Sequence, residues 1–181
     1  ATGHARDSAL AICKGVGLTR GGVFESSFRE EAELDLFAEQ IVWPVIAGWM
    51  RSCFDLGVEF GFSPELMVME LYASGETAEI TGAMARNGFF RQMTHHSTTS
   101  QYGTLSRGPE LVTESMREKA RELFMKDIRN GAFVREWTQE QATGSRTLAA
   151  LRDDALSHLM SRTEPDVIRA VQGAHVLEEQ Q

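Results

Sequence analysis

The sequence predicts an all-α fold, on three observations. Apolar residues between positions 31 and 60 recur at spacings of three and four, as on one face of a helix. Ser63-Pro64-Glu65 is typical of a helix start, with a serine cap, a proline in the first turn and an acid at the positive end of the dipole. No segment shows the sustained alternation of apolar and polar residues that a half-buried strand requires.

The composition is that of an ordinary globular protein, and it excludes some partners. A chain of 181 residues can form one domain with a sizeable core. Its 18 basic and 26 acidic residues give a net charge of −8, which argues against nucleic acid or an anionic membrane as the main partner. Cys13 and Cys53 form no disulfide framework, so we expect a reducing, cytoplasmic location. No apolar run reaches the ~18 residues of a membrane span.

Glycine and proline divide the N-terminal half into helical segments. Residues 18–29 are expected to be irregular. Pro44 is expected to kink or divide the longest helix, and Gly88 to cap the last one. The predicted helices cover residues 7–14, 31–60, 63–74 and 76 to about 87.

The C-terminal half is predicted to contain further helices after a polar loop. Residues 94–103 (THHSTTSQYG) are expected to form that loop and to present hydroxyl groups to a ligand. Pro109-Glu110 is expected to open a long helix that Asn130-Gly131 closes. The remaining helical patterns cover residues 133–142, 145–161 and 165–178.

Two motifs that suggest ligand chemistry are better explained structurally. The glycines of residues 15–22 resemble a phosphate loop, but a dinucleotide fingerprint needs a strand before it and a helix after it. Here a helix precedes and Arg20 occupies the third glycine position, so we expect a structural turn. Adjacent His95 and His96 cannot both face one site from a helix or strand, which argues against a zinc site from these two alone. Nothing near Ser97 supplies the base and oxyanion hole of a serine nucleophile.

Asp35 and Glu39 are the best candidates for chemistry. Four residues apart on a helix, they point the same way and repel by roughly 0.2–0.5 kcal/mol. Periodicity alone favours a solvated acidic first turn, continuous with three further glutamates over residues 30–33. The alternative is a hard divalent cation such as Mg²⁺, which takes carboxylate and substrate oxygens as ligands. A second pair, Glu70 and Glu76, would not share a face of a regular helix, because six residues turn it by about 600°.

These pieces, in this order, resemble the helical C-terminal domain of ketol-acid reductoisomerases. The family opens this domain with a segment like 11-AICKGVGLTRGGVFESSFREE-31 and continues with an acidic signature like 35-DLFAEQ-40. A turn like 61-GFSPE-65 follows, and then a loop like 97-STTSQYG-103. The resemblance spans roughly residues 3–108 with collinear spacing. It implies an all-α domain over residues 1–181 with the family's deep knot.

The resemblance also implies the reaction. Members convert 2-acetolactate or 2-aceto-2-hydroxybutyrate to 2,3-dihydroxy acids in valine and isoleucine synthesis, by an alkyl shift and reduction with NAD(P)H. Two Mg²⁺ ions hold the substrate oxygens. By position, Asp35 is similar to the carboxylate that bridges both metals and Glu39 to a ligand of one. Ser97 matches the serine that contacts the substrate.

The second glutamate pair departs from the family pattern of two glutamates separated by three residues. Counting forward from Pro64 gives Glu70 as the first, and counting back from Ser97 gives Glu76 as the second. A two-residue insertion with a bulge near Ser74-Gly75 reconciles both counts. We therefore expect both glutamates to be metal ligands.

The larger departure is that the nucleotide-binding domain, which binds NAD(P)H in the family, is absent from these 181 residues. We expect a fragment of a longer protein or a separate subunit, with that domain acting in cis or in trans. The resemblance implies a homodimer or higher oligomer in which one copy supplies Asp35 and Glu39 and the other supplies Glu70, Glu76 and Ser97. The alternatives are a non-catalytic knotted scaffold and a metal-dependent isomerase that needs no nicotinamide.

Overall fold

The computed structural model describes residues 3–178, and 82% of the chain is helical. No strand occurs within the described residues, which confirms the predicted all-α class. The chain divides into two compact units, Ala1–Leu36 and Phe37–Gln181. A single domain over residues 1–181 stays a prediction. The α-helices of the described part are α1 (Ala5–Gly15), α2 (Phe28–Phe37), α3 (Trp43–Glu59), α4 (Pro64–Val68), α5 (Glu76–Asn87), α6 (Thr98–Leu111), α7 (Glu114–Leu123), α8 (Ala132–Ala142), α9 (Arg146–Ser157) and α10 (Leu159–Glu178).

Shorter helical turns connect several of these helices. Two of them are 3₁₀ turns, Leu18–Arg20 and Arg91–His95. Three others have the wider π geometry, in which an N–H bonds to the carbonyl five residues back. These π turns are Ala38–Val42, Met69–Ala73 and Phe124–Arg129.

The first unit contains α1, one 3₁₀ turn and most of α2. Gly17 has a φ of 84°, and the chain turns there as the glycine pattern predicts. The Ser27 hydroxyl accepts a hydrogen bond of 3.1 Å from the Glu30 N–H, which caps the start of α2. An ion pair of 3.4 Å joins Arg6 to Glu25. Phe28 is fully exposed and neither helix has a buried side chain, so this unit has almost no core of its own.

Pro44 divides the long helix predicted over residues 31–60, as expected. A proline has no N–H to donate to the carbonyl four residues back, here that of Gln40. The chain accommodates this with the π turn Ala38–Val42, and α3 then starts at Trp43 with Pro44 in its first turn. Ile41 is buried within the π turn.

The core of the second unit lies where α3, α4 and α10 meet. Phe54, Val68 and Val167 are buried there, the first two completely. The half-buried side chains that pack around them include Met67, Tyr72, Met160 and Val171. Ser63 caps α4 as predicted, with its Oγ accepting from the Leu66 N–H at 3.2 Å.

Two boundaries predicted from the sequence are wrong. Residues 94–103 are not a loop, because the hydroxyl of Ser97 accepts from the Ser100 N–H and α6 begins at Thr98. Pro109 lies inside α6, two residues before its end, and does not open the next helix. That next helix, α7, starts after Thr113, whose hydroxyl accepts from the Met116 N–H.

The helix predicted over residues 145–161 is divided in the structure. It breaks at His158, whose extended backbone ends α9 and starts α10. Pro165 therefore lies within α10, in its second turn, and does not start a helix. Within residues 3–178, no helix combines the length and the apolar character needed to cross a lipid bilayer. The threading of the chain through its own loops stays a prediction.

Candidate functional site

Asp35 lies in the last turns of α2, in the first unit. Its side chain is exposed, and it has no hydrogen-bond or ion-pair partner among the described residues. The neighbouring Glu33 forms an ion pair instead, with its Oε1 2.7 Å from Arg29 Nε. The carboxylate of Asp35 is therefore free to take another ligand.

Glu39 lies in the π turn Ala38–Val42, in the second unit. The turn buries Ile41 and leaves Glu39 exposed and unpaired in the described part of the chain. Pro44 lies two residues after this wider turn and has no N–H to donate to the Gln40 carbonyl. Single π turns within helices occur frequently at functional sites, and this one carries a predicted metal ligand.

Glu70 lies in a second π turn, Met69–Ala73. The Ser74 N–H donates to the Met69 carbonyl at 3.1 Å, which closes the turn, and Gly75 then adopts a left-handed φ of 87°. Glu76 is the first residue of the following helix, α5. The break that the motif spacing predicted near Ser74-Gly75 is thus observed.

The two glutamates consequently belong to separate helical segments. On one regular helix, a turn of about 600° would leave the two side chains about 240° apart around the axis. That separation does not apply here, because a π turn and a left-handed glycine intervene. Both side chains are exposed and have no partner among the described residues. The Thr77 hydroxyl donates to the Leu71 carbonyl at 2.7 Å and so stabilises the turn between them.

A hydrogen bond to a distant helix also holds the π turn Met69–Ala73. The Tyr72 hydroxyl donates to Oε1 of Glu164 on α10, at 2.5 Å. Burial raises the pKa of Tyr72 well above its usual range, and the neighbouring Glu164 raises it further. No local sequence pattern indicates this pair, because 92 residues separate its members.

The cleft beside α5 contains Glu76 and several charged or polar groups. Its volume is about 860 Å³. Glu79 and Arg86 come from the same helix as Glu76, three and ten residues after it, at spacings that a helical pattern could have revealed. Its other polar lining residues are Asn87, Gln92, His95 and His96.

Gln92 orients one histidine of this cleft. It is 4% exposed, and its Oε1 lies 2.7 Å from Nε2 of His96. An amide oxygen only accepts hydrogen bonds, so His96 carries a proton on Nε2. Its other ring nitrogen has no hydrogen-bond partner among the described residues and is free to contact a ligand.

Ser97 follows this histidine directly and caps α6. Its Oγ accepts from the Ser100 N–H at 3.2 Å, and the residue is exposed. A hydroxyl that accepts one hydrogen bond can still donate its proton to a ligand. The predicted substrate contact and a structural cap therefore coincide in one side chain.

One chain does not assemble a complete metal centre within the described residues. No group of three or more His, Cys, Asp or Glu side chains that could hold a metal occurs among them. The predicted ligands Asp35, Glu39, Glu70 and Glu76 are nevertheless unpaired carboxylates, and oxygen donors of this kind fit Mg²⁺.

The chain is similar to known proteins over most of its length. The family model described as "Ketol-acid reductoisomerase, C-terminal domain" matches residues 28–172. The "Putative ketol-acid reductoisomerase 3" of Saccharolobus solfataricus is 42% identical over 174 residues, which are 93% of this chain and 51% of that protein. The "Ketol-acid reductoisomerase (NADP(+))" of Pyrobaculum islandicum is 37% identical over 160 residues, 87% of this chain and 47% of that protein.

Solved structures give the same result. A chain described as "Structure of NADH-preferring ketol-acid reductoisomerase from an uncultured archean" superposes with a TM-score of 0.83 and 30% identity. The superposition covers 93% of this chain and 50% of that one. The chain thus spans about half the length of the curated relatives it matches.

Proposed function

The chain belongs to the ketol-acid reductoisomerase family, and we propose that it forms the metal- and substrate-binding half of such an enzyme. The complete enzyme converts 2-acetolactate or 2-aceto-2-hydroxybutyrate to 2,3-dihydroxy acids in valine and isoleucine synthesis. The reaction combines an alkyl migration with reduction of the resulting ketone, for which NAD(P)H would supply the hydride. The observation that carries the proposal is that Glu39 and Glu70 each lie in a π turn and are exposed and unpaired in the described part.

Each predicted ligand has a role in the proposal. Asp35 would be a ligand of both Mg²⁺ ions and Glu39 of one of them, while Glu70 and Glu76 would complete the site from a second copy. Bound Mg²⁺ polarises the substrate oxygens as a Lewis acid. The residues of this chain hold the ligand oxygens in place and orient the 2-hydroxy-3-keto acid, to which Ser97 donates a hydrogen bond. The charge of the cations offsets the repulsion among the carboxylates.

The second copy is supported by exposed apolar surface. Four large apolar side chains at the start of α3 are between 41% and 62% exposed: Trp43, Val45, Ile46 and Trp49. A contiguous exposed apolar patch typically marks an interaction site, and a homodimer would bury this one. NAD(P)H is bound by the family's nucleotide-binding domain, in cis or in trans. A cytoplasmic location agrees with two cysteines that are not paired with each other.

The dimer is tested by a substitution in this patch. Trp49→Glu places a charge in the proposed interface and is expected to yield monomers in sedimentation experiments. Trp49→Phe keeps the apolar surface and serves as the matched control. If Trp49→Glu remains as oligomeric as the wild type, the patch does not form the interface.

Metal titration tests the function itself. The chain is studied together with the nucleotide-binding domain, and Mg²⁺ binding is measured by calorimetry with and without a substrate analogue. Wild type is expected to bind Mg²⁺, and Asp35→Asn is expected to abolish turnover while the circular dichroism spectrum is unchanged. Glu79→Gln, near Glu76 but not a proposed ligand, is the control.

The alternatives give different results in the same experiments. Absence of Mg²⁺ binding by the wild-type oligomer would favour a non-catalytic knotted scaffold. Alkyl migration without NADPH would favour an isomerase that needs no nicotinamide. Normal turnover by Asp35→Asn would show that the site is assigned wrongly.

A further inference from the structure

A tertiary hydrogen bond ties the π turn Met69–Ala73 to the C-terminal helix. The Tyr72 hydroxyl donates to Oε1 of Glu164, 2.5 Å away. Both side chains are half-buried, and the contact joins residues 92 positions apart in the sequence. A hydrogen bond to a charged acceptor is about twice as strong as one between neutral groups.

The rest of the turn divides into a packed side and an open side. The side chains of Met69, Leu71 and Tyr72 pack against the core of Phe54, Val68 and Val167. Glu70 lies between two of these packed residues in the sequence but is exposed. The core and the Tyr72–Glu164 bond thus restrain the turn, and Glu70 extends from it without a partner in the described part of the chain.

A π turn needs such restraint to present a ligand in one position. Its geometry is rare, and the α-helical arrangement competes with it. A shift of one residue in the hydrogen-bond pattern would rotate Glu70 by about 100° around the helix axis. The packed apolar side chains tolerate some sliding, whereas a directional hydrogen bond to Glu164 does not.

We propose that Tyr72 and Glu164 are positioning residues that hold this π turn in register and so place Glu70 for binding a divalent cation. The inference rests on the proposed function, in which Glu70 is a metal ligand. Neither residue touches the metal or the substrate in this proposal. Their effect passes through the backbone of the turn, as the effect of groups behind a metal ligand commonly does.

The test measures Mg²⁺ affinity by calorimetry on the complete enzyme, together with kcat and the Mg²⁺ concentration for half-maximal rate. Tyr72→Phe keeps the ring in the core and removes only the hydroxyl. Tyr72→Phe and Glu164→Ala are each expected to weaken Mg²⁺ binding by roughly 10–100-fold, the usual loss for groups that orient metal ligands. Glu164→Gln keeps an acceptor oxygen and is expected to retain most of the affinity.

Two controls separate positioning from general stability. Asp166→Asn alters an exposed carboxylate on the same helix, and Val171→Ala weakens the packing of α10 without touching the hydrogen bond. Both are expected to leave Mg²⁺ affinity unchanged, even where Val171→Ala lowers the unfolding midpoint. The double variant Tyr72→Phe/Glu164→Ala is expected to lose no more affinity than either single variant, because one interaction is removed in all three.

The outcomes are distinguishable. If Tyr72→Phe and Glu164→Ala lower the unfolding midpoint but bind Mg²⁺ like the wild type, the pair is structural only and the inference is wrong. If the wild type itself binds no Mg²⁺, the proposed function fails, and the positioning role fails with it.

Discussion

The imidazole Nε2 of His158 lies 3.1 Å from Oδ1 of Asp55, and this contact joins the start of α10 to the middle of α3. The same ring accepts a hydrogen bond at Nδ1 from the Met160 N–H, at 3.3 Å, and so caps α10. It also packs edge-on against Phe54 at a centroid distance of 5.9 Å. One side chain thus explains why the helix predicted over residues 145–161 breaks where it does.

Removal of this side chain is expected to destabilise the second unit. His158→Ala loses the cap and the contact with Asp55, for a combined loss of about 2 kcal/mol. His158→Asn supplies another capping oxygen and is expected to lose about half as much. Urea unfolding of both variants measures the difference, and equal losses would show that the Nδ1 cap contributes nothing.

The observed cap at Ser97 and its proposed substrate contact are separable by substitution. Ser97→Ala is expected to cost about 1 kcal/mol of stability, since the Ser100 N–H loses its acceptor. Ser97→Asn keeps a capping oxygen, so its stability is expected to match the wild type while the KM for the acetohydroxy acid rises. Paired unfolding and kinetic measurements check this. Wild-type KM in Ser97→Asn would leave Ser97 with its structural role alone.

Two glycines of α3 are expected to respond oppositely to a methyl group. A Cβ at Gly57 would overlap the Sδ and Cε atoms of Met67, whereas a Cβ at Gly48 meets no atom within 4 Å. Both changes to alanine carry the same gain in helix propensity, roughly 0.5–1 kcal/mol. Gly57→Ala is therefore expected to be less stable than Gly48→Ala by about 1–3 kcal/mol, the usual cost of overpacking. Equal unfolding midpoints would mean that Met67 moves aside at no cost.

The start of α9 is expected to weaken in acid. Ser145, before this helix, has a left-handed backbone and no side-chain cap. The Leu148 N–H donates instead to the Glu140 carboxylate at 3.0 Å. This bond is the main cause that lowers the pKa of Glu140, and hydrogen bonds from Thr147 lower it further.

Because folding lowers the pKa of Glu140, acid is expected to reduce the stability of the fold. A carboxyl group whose pKa is lowered in the folded state stabilises the fold at pH values above its ordinary pKa of 4.5. This stabilisation is lost as the pH falls from there through the lower folded value. Urea unfolding between pH 7 and pH 3 is expected to show a smaller pH dependence in Glu140→Gln than in the wild type. Glu136→Gln, on the same helix, is the control, and identical slopes in Glu140→Gln and wild type would contradict the prediction.

Much of the local structure was predictable from the sequence. The all-α class, the division at Pro44, the cap at Ser63 and the break near Ser74-Gly75 are all observed. Each depends on chemistry within a few residues, such as a missing N–H or a hydroxyl that reaches the next turn. The resemblance to ketol-acid reductoisomerases is confirmed by the family model over residues 28–172. The roles of the predicted site residues stay predictions.

Competition between local signals explains the errors. Ser97 and Pro109 both carry helix-start signals, and the helix start predicted from the sequence lies at the proline. In the structure the serine starts α6. Pro109 lies two residues before the end of that helix, so its missing N–H removes one bond, to the Leu105 carbonyl, with only two helical residues beyond it.

The sequence by itself determined most of the helical segments, where most of them start and which carboxylates are candidate ligands. Only the tertiary structure decided that Tyr72 meets Glu164, that His158 meets Asp55, and that Glu76, Arg86 and His96 share one cleft. The physical reason is the separation along the chain over which each kind of interaction acts. Caps and turns act over a few residues, whereas side chains 92 or 103 positions apart meet only when whole helices pack.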